Sequence, residues 1–269
     1  MGRILIDPQN IRGLKLRLEG APAHHILRVL RKKPGDIFEI TDGQGRDYEV
    51  RLENGAENTL VGAIVREGKE PSHRAQGPSV FQAIPKSQRM DWIIEKAVEL
   101  GAGTIQPLWT KRSVVIPRSK DMTAKLGRWR RIAGEALAQS GGTRLCAVHA
   151  PCSLNEAALQ INPSHLTLVA WEKEKSTTLK EVLDRRGIPI NIFVGPEGGF
   201  APEEIELLKA RGAQTVSLGA RTLRSETAPI MILSAILYEQ NICPPSPEAS
   251  AGHPPGSKSD IAPKRSEGG

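Results

Sequence analysis

The strongest constraint on the fold is a change of rhythm near residue 78. Beyond it, apolar strands alternate with helices: strands at 80–84, 105–108, 166–170, 190–194 and 215–218, and helices near 122–138, 179–185, 202–210 and 229–238. A further helix carries Ile93, Ile94, Ala97, Val98 and Leu100 at helical spacing, with Ser87 as its expected N-cap and Gly101 as its stop. The segment Ser153-Leu154-Asn155-Glu156 has the form of a capping box and opens another. Alternation of this kind predicts a parallel sheet covered by helices on both faces.

Residues 3–67 read differently. Short strands at 4–6, 37–41, 48–52 and 60–65 are broken by the turn segments Asp42-Gly43-Gln44-Gly45 and Glu53-Asn54-Gly55. One helix is expected over 21–31, with Ile26, Leu27 and Leu30 on a single face. Together these suggest a small β-barrel with one helix. Residues 68–78 are polar, contain Pro71 and Gly77, and read as a linker. The expected organisation is therefore a first domain over 1–70, a second over 78–243, and a disordered tail over 244–269, where Pro, Ser and Gly abound without apolar periodicity.

Charge locates a partner surface. The 269 residues carry a net charge of +7, and residues 76–150 hold 12 basic against 5 acidic side chains, which accounts for the whole excess. Within that stretch Lys111, Arg112, Arg118, Lys120, Lys125, Arg128, Arg130 and Arg131 are opposed by Asp121 alone. Such a cluster is either a solvated helix face or a surface that neutralises phosphates and releases their counterions. No apolar run approaches the ~20 residues of a membrane span, and Met1-Gly2-Arg3-Ile4 leads into polar sequence rather than a signal peptide. A cytoplasmic protein is expected. Cys146, Cys152 and Cys243 are odd in number and lack C-x-x-C spacing, so they should pack rather than bridge. The six histidines lack metal-ligand spacing, and no metal is expected.

Ligands of open parallel sheets bind beyond the carboxyl ends of the strands, which directs attention to two loops. Gly195-Pro196-Glu197-Gly198-Gly199-Phe200 follows the most apolar strand. Its spacing is neither a P-loop nor G-x-G-x-x-G, and Glu197, Glu203 and Glu204 oppose a phosphate. The second loop is Leu218-Gly219-Ala220-Arg221-Thr222-Leu223-Arg224-Ser225-Glu226-Thr227-Ala228-Pro229. Alone, it reads equally as a helix entrance, with Ser225 or Thr227 as the cap and Pro229 near the start.

Taken together, the two loops resemble signature segments of the SPOUT superfamily of knotted methyltransferases, and specifically the RsmE-type bacterial enzymes that methylate N3 of a uridine in 16S ribosomal RNA. The resemblance spans residues 1 to about 242. It includes His24-His25-Ile26-Leu27-Arg28-Val29-Leu30-Arg31 with Pro34-Gly35-Asp36, then Pro85-Lys86, Glu95-Lys96-Ala97-Val98-Glu99-Leu100-Gly101, Lys111-Arg112-Ser113, and Glu135-Ala136 with Gln139-Ser140, in that order. The sequence departs from the pattern at Gly141-Gly142-Thr143-Arg144 and over 145–151.

The resemblance implies an α/β fold: a knotted (trefoil) SPOUT methyltransferase domain with a parallel sheet, preceded by a small PUA-like β-barrel domain. It implies S-adenosylmethionine held by the knot loops of a homodimer, without metal, and 16S ribosomal RNA in an assembled small subunit as the substrate. Carried over by position, Gly195, Pro196, Glu197, Gly198 and Gly199 form one cofactor wall. Leu218, Gly219, Leu223, Arg224, Ser225, Thr227 and Ala228 form the other. Ala170-Trp171-Glu172 is either a third contact or a strand end with its indole in the core. Methylation at carbon 5 of a pyrimidine would require a covalent cysteine, and none lies in a promising loop, so a nitrogen or oxygen acceptor is favoured. Arg224 and Arg112 are the expected catalytic cations, with Lys86 assisting. Glu197 reads either as a base or as an acceptor of backbone N–H groups. RNA contacts are expected from Arg28, Arg31, Lys32, Lys33, Lys86, Arg112, Arg128, Arg130 and Arg131, while His25 is either a contact or a packed side chain. Two other readings stay open: a relative acting on a ribose 2′-hydroxyl or on transfer RNA, and a non-enzymatic RNA-binding protein. The 25–31 segment favours the uridine enzyme over the former, and the intact loops favour an enzyme over the latter.

Overall fold

The computed structural model describes residues 2–69, 77–113, 119–183 and 188–239. Most of the expected linker, Arg118, the side chains of Lys120 and Asp121, Cys243 and the tail lie outside the described residues.

Two sheets organise the chain. In the first, β1 (Ile4–Leu5), β2 (Ile11–Arg12), β3 (Lys15–Glu19), β4 (Ile37–Thr41), β5 (Arg46–Ala56) and β6 (Thr59–Lys69) run in the order β1-β4-β5-β6-β3-β2. Only the β1–β4 pair is parallel. Leu16, Leu18, Ile40, Val50, Leu52 and Leu60 point inward at the two-residue period of strands. Helix α1 (Ala21–His24), prolonged by a π-turn over His25–Val29, adds Ala23 and Ile26 to this core. The expected barrel is an open mixed sheet, because its two-residue edge strands β1 and β2 do not pair with each other. The π-turn, closed by Leu30 N donating to His25 O, shifts the helix face, so Leu30 is only half-buried.

Asp42 makes the expected turn, its Oδ1 accepting from Gln44 N at 2.7 Å and Arg46 N at 3.1 Å. The turn expected at Glu53-Asn54-Gly55 is instead part of β5. The chain reverses at Glu57-Asn58, and an irregular register between Leu52 and Asn54 takes up the extra length. Gly55 packs beneath Leu27, whose Cδ2 would lie 2.6 Å from a Cβ there and would have to shift to admit one.

The second sheet contains β7 (Ser79–Ala83), β8 (Thr104–Trp109), β9 (Ala147–Val148), β10 (Cys152–Ser153), β11 (Leu166–Ala170), β12 (Ile190–Val194) and β13 (Gln214–Val216). Its order is β10-β8-β7-β12-β11-β13, with β9 also on β8, and every pair is parallel as expected. One face packs on helices α2 (Arg89–Glu99) and α3 (Ser119–Ser140). The other carries α4 (Leu154–Leu159). The first face also receives α5 (Leu179–Val182), the second α6 (Pro202–Ala210), and α7 (Thr227–Glu239) returns to the first. Along β12, Ile190, Ile192 and Val194 point to the α2 side and Phe193 to the α6 side, where it stacks on Phe81 with ring centroids 4.3 Å apart. Burial on both faces is why this strand reads as an unbroken apolar run.

Ser87 is not the N-cap of α2: Gln88 is, and Ser87, at φ +58°, turns the chain between strand and helix. Gly101 follows the helix at φ +82°, as its stop requires. The capping box at Ser153 and Glu156 is present. Strand β9, in the stretch that departs from the family pattern, and β10 just beyond it are too short to show a period in sequence.

The two sheets are joined by backbone. Gly45 N donates to Thr143 O at 2.9 Å and Leu145 N to Gly43 O at 2.8 Å, while Arg3 reaches Gly141 O, Asp47 and Glu39. Leu5 packs on the core of the second sheet. The divergent segment Gly141-Gly142-Thr143-Arg144 thus serves this joint.

Candidate active site

A cleft of about 1060 Å³ opens at the carboxyl ends of β11, β12 and β13. Its walls are the two loops singled out in sequence together with residues 170–178. Strand β12 delivers Gly195, and the turn that follows is closed by Gly199 N donating to Pro196 O at 2.9 Å. Gly199 has φ +67°, a conformation that disfavours any side chain, and a Cβ there would lie 3.0 Å from both carboxylate oxygens of Glu172, which would have to shift. The opposite wall leaves β13 through Ser217, whose N–H donates to Thr177 O at 2.8 Å, and ends where Thr227 N and Ala228 N donate to Arg224 O at the start of α7.

Glu174 organises the third wall. Its Oε1 accepts from Ser176 Oγ at 2.6 Å and from the N–H groups of Lys175, Ser176 and Thr177, and Thr215 Oγ1 donates to Oε2 at 2.6 Å. The Ser176 hydroxyl above all, then that of Thr215, holds this carboxyl down at about 2. Across the cleft, Glu197 Oε1 accepts from Lys86 N at 3.0 Å and from Arg89 Nη1 at 3.1 Å. Deeper, Ser225 Oγ donates to Gly195 O at 2.8 Å and accepts from Gln82 Nε2 at 3.2 Å.

Residues 74–237 match the family described as RNA methyltransferase domain, and residues 18–65 that described as RNA methyltransferase PUA domain. A Ribosomal RNA small subunit methyltransferase E from Synechocystis is 34% identical over 237 residues, covering 87% of this chain and 76% of that protein. The chain belongs to the ribosomal RNA small subunit methyltransferase E family. A Bacillus subtilis protein of the same name is 29% identical over 84% of this chain and 90% of its own length. A crystal structure of the Neisseria gonorrhoeae member bound to S-adenosyl methionine superposes with a TM-score of 0.78 at 29% identity, over 88% of this chain and 97% of that one.

Within this RsmE-type chain, every residue expected to hold the cofactor lines the cleft except Thr227, which opens α7. Trp171 and Glu172 also line it, and the half-buried indole lies beneath Lys209, whose Nζ is 5.2 Å from the ring centre. Arg224 lines the cleft and is 78% exposed. Arg112 and Lys86 do not line it: Arg112 Nη1 donates to Gly198 O at 2.7 Å, and Lys86 contributes its backbone N–H.

The basic stretch is not an array of free cations. Lys111 pairs with Glu203, Arg128 with Asp91 and Arg131 with Glu135, while Arg130 Nε donates to Val148 O. Lys125 is exposed. On the first sheet Arg28 and Arg31 are exposed, and Lys32 Nζ donates to Ile37 O at 2.9 Å. Sequence reasoning missed Arg89, Glu174 and Glu226; Arg89 and Glu226 meet only in the fold, 3.5 Å apart. Burial pushes the Cys146 thiol up to about 12, and raises Cys152 with help from Glu156, so neither is a thiolate at neutral pH. Among the described residues no helix is long and apolar enough to cross a membrane, and no group of three metal-ligating side chains occurs.

Proposed function

We propose that the chain transfers a methyl group from S-adenosylmethionine to N3 of a uridine in 16S ribosomal RNA of the small subunit. The observation that carries this reading is the cleft itself, where two loops far apart in sequence form facing walls at the carboxyl ends of a parallel sheet.

The residues fit the cofactor. Gly199 holds a left-handed conformation that disfavours a side chain, so backbone lines that wall, and Leu218, Leu223 and Ala228 suit a flat uncharged adenine. The Glu172 carboxylate suits the sulfonium and amino group, and Lys175 and Arg221 the carboxylate. Bound S-adenosylmethionine supplies a methyl group open to in-line displacement. The chain's part is to position the acceptor.

Neutral uracil carries a proton on N3, and its loss leaves negative charge on the ring. Arg224 is the cation that meets this charge: it lines the cleft, and its ion pair with Glu226 is 4.0 Å long. Arg112 supports Gly198 and acts one step removed. Glu197, engaged by Lys86 N and Arg89, serves as a structural acceptor rather than a base.

Residues 1–70 are taken as the RNA-gripping domain, using Arg28 and Arg31, and residues 78–243 as the catalytic domain, whose C-terminal segment threads a trefoil knot. The target base leaves its stack to reach the cleft. A homodimer in the cytoplasm completes the enzyme. Its interface is assigned to the exposed face of α7, where Thr227, Met231, Ser234 and Tyr238 recur at helical spacing.

Incubation of purified protein and labelled S-adenosylmethionine with small subunits, followed by nucleoside analysis, tests the reading. N3-methyluridine in 16S RNA is expected. Label in a ribose 2′-hydroxyl or in transfer RNA would support the alternative.

A further inference from the structure

Both walls of the cleft are tied to one supersecondary unit, strand β7 followed by α2. The inner tie is neutral and buried: Gln82 of β7 donates to Ser225, which donates to Gly195 O. The outer tie is charged. Arg89, the first residue of α2, places Nη1 3.1 Å from Glu197 Oε1 and 3.5 Å from Glu226 Oε2. Glu197 belongs to one wall and Glu226 to the other, so a single guanidinium spans the cleft edge.

The carboxylates are not simply solvated partners. Glu226 is 15% exposed, and its Oε2 is buried without a hydrogen-bond partner among the described residues. A carboxylate in that position is costly unless a cation stays beside it. Arg89 is the near cation, at 3.5 Å against 4.0 Å for Arg224. Guanidinium suits the task because its charge is permanent and its donors are spread over a planar fork, whereas an ammonium is a point charge.

We propose that Arg89 is a positioning residue that sets the separation of the two cofactor-binding loops by holding Glu197 on one and Glu226 on the other. The proposal rests on the reading of the cleft as the S-adenosylmethionine site. Because the Gln82–Ser225–Gly195 tie remains when Arg89 is replaced, the loops stay folded and lose only their fixed spacing. The cost therefore falls on cofactor affinity, and any loss of stability comes from leaving the Glu226 carboxylate without its cation.

The test is titration calorimetry of the full chain with S-adenosylmethionine, well below the unfolding temperature of each variant, beside thermal unfolding without cofactor. Arg89→Gln is expected to bind about tenfold more weakly and to melt at a lower temperature because Glu226 loses its cation, and Arg89→Lys to fall between it and the wild type in affinity. Glu226→Gln should also weaken binding, and the double variant Arg89→Gln/Glu226→Gln should be no weaker than the poorer single variant, because both changes break the same tie. The proposal is overturned if Arg89→Gln binds within about twofold of the wild type, or if the two losses multiply in the double variant. It is also overturned if Arg89→Lys is no better than Arg89→Gln, or, should the glutamine variant fail to fold, if Glu226→Gln binds within about twofold of the wild type. A wild-type chain that does not bind S-adenosylmethionine would instead remove the reading beneath it.

Discussion

Arg224 and Glu174 line the same cleft and do opposite kinds of work. Arg224 is exposed, and its backbone carbonyl is fixed by the start of α7, so its side chain can be removed without unravelling the loop. Arg224→Ala should abolish turnover while calorimetric affinity for S-adenosylmethionine stays largely intact; full activity in that variant would remove its role. Glu174 is structural. Its folded pKa of about 2 lies below the ordinary value of 4.5, so the stability it contributes is present above pH 4.5 and is lost as pH falls toward 2. Denaturant unfolding of Glu174→Gln should show lower stability than wild type at neutral pH and a flatter pH dependence across that window. The glycines and Arg224 were legible in sequence because loop position and residue type coincide there. Glu174 was not, since its carboxylate works through Ser176 beside it and Thr215, 41 positions away, and only the latter contact decides how the wall is built.

Helix α3 shows how far an element can be read from its composition. Its basic character was evident, and its extent, Ser119–Ser140, contains the expected 122–138. What its cations touch was not, because Asp91 of α2 and Val148 of β9 approach it only through packing. Arg130 fastens α3 to β9, so replacing it tests stability as well as binding. Arg128 and Arg131 hold exposed ion pairs of the kind worth about 0–1 kcal/mol, which RNA phosphates can displace. Replacing both by Gln should lower the slope of log K against log salt by up to about 0.9 for each phosphate no longer neutralised, with little change in melting temperature. The strand β12 and helix α6 were read to the residue, since two-sided burial and a Pro202 start leave no alternative register. The π-turn after α1 was missed because its extra residue leaves the apolar spacing of Ile26 and Leu27 intact while moving Leu30 outward.

At the scale of the molecule, the backbone bonds between Gly43–Gly45 and Thr143–Leu145 join the two sheets. Gly45 stands at φ +102° with the Arg144 guanidinium 2.8 Å from where a Cβ would lie. Gly45→Val should therefore loosen the joint, raising KM for RNA more than it changes cofactor affinity. The dimer face proposed on α7 gives a separate prediction: Met231→Asp with Tyr238→Asp should yield a monomer by light scattering, with methyl transfer abolished. The net charge of +7 fits this arrangement, with its excess on the second sheet's helices rather than around the cofactor walls. The most direct test of the proposed activity is mass mapping of 16S ribosomal RNA from a bacterium lacking its own member of this family, supplied with this chain or with its Arg224→Ala variant. N3-methyluridine is expected to return with the wild-type chain and not with the variant; its absence with both, or its presence with both, would contradict the assignment.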